Sequence, residues 1–101
     1  MPPMTDTPAA ESALSRDLPI INKKGLHARA TAKFVQCCEK FDADITVAKD
    51  GETVGGSSIM GILTLGAGKG STITVTADGL QAQEALDALT ELVANRFGED
   101  E

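Results

Sequence analysis

His27 is the single histidine of this chain, and it lies in the run Gly25-Leu26-His27-Ala28-Arg29. A strand-like segment ends before it and a helical pattern begins after it. The spacing therefore puts an imidazole beside the unpaired N–H groups of a helix start, with a guanidinium two residues on. A neutral imidazole is a nucleophile. Amide donors and an always-charged arginine can hold an anion on it without acting as acids. The chemistry these residue types suit is phosphoryl carriage on the ring. Gly25 allows the backbone to turn sharply just ahead of it. Lys23, Lys24, Arg29 and Lys33 form a basic island within residues 23–33, a stretch with no acid, in a chain of net charge −6.

Other chemistries fit less well. One histidine and two cysteines, the adjacent Cys37 and Cys38, supply no metal-ligand set. Neighbouring cysteines on a helix point about 100° apart and suit small core-filling thiols of a reducing compartment. Gly66-Ala67-Gly68-Lys69-Gly70 imitates a phosphate loop. It has Gly70 where Ser or Thr should follow the lysine and Leu63 where the first glycine should stand, so it reads as a turn. The acidic balance argues against nucleic acid and anionic membranes as partners. No apolar run approaches the ~20 residues that cross a bilayer. Residues 1–16 lack the basic and apolar regions of a secretory signal, so a cytoplasmic location is expected.

A second cluster is Ser58-Ile59-Met60-Gly61-Ile62-Leu63. Ser57 or Ser58 can cap a short helix to about residue 64. Ile59, Met60 and Leu63 cannot all face a core from so short a helix, so part of it is expected to form an exposed docking patch.

The elements that must position these residues follow from periodicity. At 101 residues the chain has room for one domain. With three Phe and no Trp or Tyr, its core must be mainly aliphatic. Residues 1–16 read as a disordered tail, 17–97 as the domain and 98–101 as a frayed acidic end. Residues 17–22 read as a strand, with Pro19 suited to an edge. Thr31, Phe34, Val35, Cys38 and Phe41 share one helix face. Residues 43–49 and 71–77 alternate as strands, and Asp50-Gly51 marks a hairpin into a weaker strand over residues 52–56. Residues 80–97 read as a helix with Ala82, Leu86, Leu89, Leu92, Val93 and Phe97 on one face. The order is βαββαβα. Strands wet on one face require the helices to cover the other, which gives an α+β open-faced two-layer sandwich.

On Gly25-Leu26-His27-Ala28-Arg29, on Ser58-Ile59-Met60-Gly61 followed by Thr64-Leu65-Gly66, and on the order of elements between them, the chain resembles the HPr family. These are the histidine-containing phosphocarriers of the bacterial phosphotransferase system. The resemblance spans about residues 17–97 and implies a four-stranded antiparallel sheet with three helices on one face. It implies a stoichiometric carrier rather than an enzyme, without cofactor; transfer through brief contacts makes a monomer the expectation. Nδ1 of His27 would accept a phosphoryl group from phosphorylated enzyme I and pass it to an EIIA-type protein. Arg29 would match the family's active-site arginine, and Ser58 the serine modified in some bacteria by an HPr kinase/phosphorylase. Ile59, Met60 and Leu63 would match the surface that docks partners. The chain departs from the family pattern at Ala30, where proline is usual. A second reading of the same residues is a regulatory interaction module of the nitrogen-related branch, binding target enzymes according to its phosphorylation state.

Overall fold

The computed structural model describes residues 13–99. Four strands and three helices follow one another as β1 (Ala13–Pro19), α1 (Ala28–Cys38), β2 (Asp44–Lys49), β3 (Glu52–Gly55), α2 (Ile59–Thr64), β4 (Thr72–Asp78) and α3 (Ala82–Ala94). A 3-10 turn, Arg96–Gly98, closes the series. The sheet order is β1-β4-β2-β3 with every pairing antiparallel. This is the open-faced α+β sandwich that the alternation requires. Ile45, Val47, Ile73, Val75 and Ala77 line the inner face, while Thr72, Thr74 and Thr76 of β4 stand on the wetter one. Asp50 and Gly51 both take positive φ, 52° and 87°, which closes the β2–β3 hairpin with the twist its strands need.

Two boundaries differ from the sequence reading. The first strand begins at Ala13, so residues 13–16 belong to the sheet and not to a tail; the rest of the expected tail, residues 1–12, lies outside the described residues. Arg16 hides the alternation. It occupies an inward position between Leu14 and Leu18, where a cation breaks the apolar pattern. Its Nη1 donates to Thr90 Oγ1 (2.8 Å) and to Asp87 Oδ1 (3.2 Å) on α3, so the stem is covered while the charge reaches the rim. On the other face Ser15 bonds Thr76 and Thr74 donates to Asp17.

The last helix stops at Ala94, short of the expected residue 97. Arg96 and Phe97 both take φ of 55°, the left-handed region. For non-glycine residues this costs roughly 1–2 kcal/mol each. The reversal drives the Phe97 ring into the core, where it is 1% exposed, and complete burial of such a ring offsets about 1.5–3 kcal/mol. Lys33 Nζ donates to the Phe97 carbonyl at 2.6 Å and ties the turn to α1. Of the expected frayed end, residues 98–101, Gly98 closes the 3-10 turn and the Glu99 side chain reaches back to His27 at the start of α1. Residues 100 and 101 lie outside the described residues.

The faces of the helices follow the expected periodicity. Thr31, Phe34, Val35 and Cys38 are buried on α1, and Phe41 packs half-buried beyond its end. Ala82, Ala85, Leu86, Leu89 and Val93 are buried on α3, with Leu92 half-buried. The short α2 sends only Ile62 fully inside, while Met60 is 71% exposed.

The segment leading into α1 is fixed by backbone contacts with residues 66–71. Ile20 N–H donates to Ser71 C=O (2.8 Å), Gly70 N–H to Ile20 C=O (2.9 Å) and Leu26 N–H to Ala67 C=O (2.8 Å). Gly25 has φ of +65°, and a Cβ built there would lie 2.5 Å from the Ala67 carbonyl oxygen and 2.6 Å from Gly68 Cα. Glycine is required twice over, by conformation and by space. Residues 66–70 are thus a turn, as expected, and the turn is the backing against which the His27 segment sits.

Two stability outcomes follow from this packing. Gly25→Ala must strain its backbone and displace that turn, and is expected to destabilise by about 2–4 kcal/mol. Ile62→Ala should cost about 2–5 kcal/mol, whereas Met60→Ala on the same helix should stay within about 0.5 kcal/mol. Urea midpoints of the three variants against the parent chain check both.

Candidate functional site at the start of the first helix

His27 is the N-cap residue of α1, with extended backbone (φ −76°, ψ 179°) and a side chain that does not cap the helix. Its carbonyl receives the Thr31 N–H at 2.9 Å. The amides of Ala28, Arg29 and Ala30 are therefore the orphan donors of the first turn. The ring is freed from capping and is 26% exposed, accessible from solvent.

What holds the ring in place is a chain of polar contacts. Asn22 is wholly buried. Its Nδ2 donates to the Gly25 carbonyl at 2.8 Å and to Glu99 Oε1 at 3.0 Å, while Gly25 N–H donates to the Asn22 carbonyl at 3.1 Å. The other carboxylate oxygen of Glu99, Oε2, meets His27 Nε2. Desolvation alone would raise the Glu99 carboxyl. The hydrogen bonds of Asn22 and His27, with the nearby charges of His27 and Lys24, outweigh it and hold the group below the ordinary carboxylate value. Neither Asn22 nor Glu99 stands out in the sequence. Asn22 ends an apolar run, and Glu99 belongs to an acidic stretch 72 positions from its histidine partner.

The basic island is brought to one place. Lys23, Lys24, Arg29 and Lys33 line an open cleft of about 660 Å³ together with His27 and Glu99. Arg29 is exposed on the first turn and forms no ion pair among the described residues. Such a cleft can accept a multiply charged anion beside the imidazole, with amides, a guanidinium and ammonium groups as donors. Ala30 is the third residue of α1 and is fully buried. Its N–H has no carbonyl to reach within the helix, so alanine adds one orphan donor that proline would lack, while the φ that proline would pre-set is left to the helix itself.

Ser58 caps α2, its Oγ accepting the Gly61 N–H at 3.1 Å, and is exposed. Gly61 fits there because a Cβ would fall 2.8 Å from that oxygen and 3.0 Å from the Val54 side chain. Ile59 and Met60 are exposed beside it and Leu63 is half-buried. The helix packs on α1 and β3, so this apolar surface adjoins the element that carries His27.

Cys37 and Cys38 are free thiols. Burial, with the neighbouring Cys37 and Glu39 charges, pushes the Cys38 thiol up to about 12, and burial likewise raises Cys37. Both stay protonated and pack against the core, Cys38 within it. Among the described residues no group of His, Cys, Asp and Glu could hold a metal ion, and no helix is long and apolar enough to cross a membrane.

Comparison with known proteins agrees with this geometry. The sequence profile of the PTS-HPr family, described as the PTS HPr component phosphorylation site, matches residues 14–95. Phosphocarrier protein HPr of Cupriavidus necator is 52% identical over 88 residues, covering 87% of this chain and 99% of that protein. Phosphocarrier protein NPr of Shewanella violacea is 42% identical, covering 85% of this chain and 94% of that one. The crystal structure of HPr-C-His from Thermoanaerobacter tengcongensis superposes with a TM-score of 0.84 at 42% identity, over 87% of this chain and 99% of that one. A sheet of order β1-β4-β2-β3, an imidazole at the N-cap of α1 and these likenesses over nearly the whole domain lead to one conclusion: the chain belongs to the HPr family of phosphocarrier proteins of the phosphotransferase system.

Proposed function

We propose that His27 accepts a phosphoryl group on Nδ1 from phosphorylated enzyme I and passes it to an EIIA-type protein. The observation that carries this is the solvent-accessible imidazole at the N-cap of α1, set in a cleft with four cations. Nε2 is engaged by Glu99, whereas Nδ1 has no hydrogen-bond partner among the described residues. Phosphoryl transfer passes through a loose transition state in which positioning and charge compensation carry most of the rate. Arg29 and the first-turn amides supply compensation at the carrier's end, and the donor or acceptor protein supplies the remainder. The chain is then a stoichiometric intermediate that turns over nothing on its own.

Docking is assigned to the exposed apolar side of α2, with Ile59 and Met60 outermost and Leu63 at the edge. Ser58 lies at the head of that surface and is proposed as a regulatory phosphorylation site for an HPr kinase/phosphorylase. A phosphate there adds about −1.5 to −2 charge. It would meet a helix start, which tolerates it, beside an apolar patch that partners must desolvate. Its effect falls on docking rather than on folding. The regulatory reading, binding of targets according to phosphorylation state, uses the same two surfaces.

Incubation with enzyme I and phosphoenolpyruvate is expected to give an acid-labile, base-stable phosphoryl adduct that is absent from His27→Ala. A wild-type chain left unmodified by competent charged enzyme I would end the carrier assignment. Ser58→Asp is expected to keep the parent's unfolding free energy in urea within about 0.5 kcal/mol while weakening enzyme I binding in a titration. Equal affinity for enzyme I would remove Ser58 as a switch.

A further inference from the structure

We infer that Glu99 is a positioning residue for phosphoryl transfer, holding the proton of His27 on Nε2 so that Nδ1 presents its lone pair. The inference rests on the carrier reading of His27 and adds to it a residue from the far end of the chain. A carboxylate can only accept, so the nitrogen facing Glu99 Oε2 must carry the hydrogen. In a neutral ring that leaves Nδ1 as the nucleophile. The contact is built rather than incidental. Glu99 Oε1 is held by the Nδ2 of Asn22, a side chain with no exposure, and the same amide fixes the Gly25 carbonyl two residues before His27. The left-handed turn at Arg96 and Phe97, anchored by the buried Phe97 ring, delivers Glu99 to this point.

The step balances without a further reactant. The Nδ1 lone pair forms the new N–P bond. The bond from phosphorus to the donor histidine of enzyme I breaks, and its electron pair returns to the donor ring. The Nε2 proton stays between His27 and Glu99 throughout. As the bond forms, positive charge develops on the His27 ring, and the carboxylate faces it. On onward transfer the N–P electrons return to Nδ1, and the ring leaves as a neutral imidazole because Nε2 has kept its proton.

The test compares the full-length wild-type chain with Glu99→Ala and Glu99→Gln. In the unphosphorylated protein, NMR should show a hydrogen-bonded Nε2 proton of His27 in the wild type, lost in Glu99→Ala and retained in Glu99→Gln, whose amide oxygen still accepts. Phosphorylation rates should be measured with charged enzyme I and with phosphoramidate, a small N–P donor that needs no docking surface. Glu99→Ala is expected to slow both by about tenfold, the weight of one charge-assisted hydrogen bond at a part-exposed site. Glu99→Gln should fall between, having orientation without charge. Full rates in Glu99→Ala with both donors, or an unchanged Nε2 proton signal, would overturn the role of Glu99 while leaving His27 as the carrier. A wild-type chain that takes up phosphorus from neither donor would instead sink the carrier reading, and the positioning role with it.

Discussion

The close approach of Gly25 to the turn at Ala67 and Gly68 is the contact on which the site depends. It is made of backbone against backbone, with no room for a side chain. The turn lies just ahead of β4, and the segment it supports lies just after β1, the neighbour of β4 in the sheet. The hydrogen bonds between residues 20–26 and 67–71 continue the β1–β4 pairing past the last ladder residue, Pro19. The start of α1, and with it the azimuth of His27, is thereby referenced to the rigid middle of the sheet. The carrier role proposed for His27 gains from such a mounting, because positional freedom at the ring would enter the transfer barrier directly.

Charge is distributed with a similar division. The chain carries −6 overall, yet four cations gather at the cleft beside His27. Global negative charge disfavours contact with polyanions, while the local field suits the single phosphoryl group proposed for His27. A carboxylate in that cleft looks adverse until its place is considered. Glu99 engages the ring through Nε2, and four cations outweigh one carboxylate and a dianionic phosphoryl group together. It can therefore orient the imidazole without closing the cleft to phosphate.

Much of this was legible in the sequence because it is written in local pattern. Ile73 and Val75 alternate with threonines, Asp50-Gly51 spells a hairpin, Ser58 precedes a short apolar turn, and His27 follows a glycine and precedes a helix. What escaped is written in distance or in exceptions. Arg16 occupies an inward slot of β1 and breaks the alternation that would have begun the strand at Ala13. Phe97 stands four residues after Val93, a helical spacing, but reaches the core through two left-handed residues that periodicity cannot register. Asn22 and Glu99 acquire meaning only when the turn joins them. No window along the chain contains both.

The short helix α2 shows how little burial the proposed docking surface requires. One residue, Ile62, anchors it in the core, and the Ser58 hydroxyl satisfies one donor of its first turn. Six residues are too few to be helical alone, so the packing of Ile62 on the domain must hold the whole element. The remaining apolar side chains are then left outside by geometry: a helix with a single inward position cannot bury Ile59 and Met60 as well. Exposure of a methionine at 71% would be a liability on a long amphipathic helix, where it would signal a missing partner within the fold. Here it follows from the shortness of the element, and a flexible, polarisable side chain is well suited to meeting more than one partner in brief contacts.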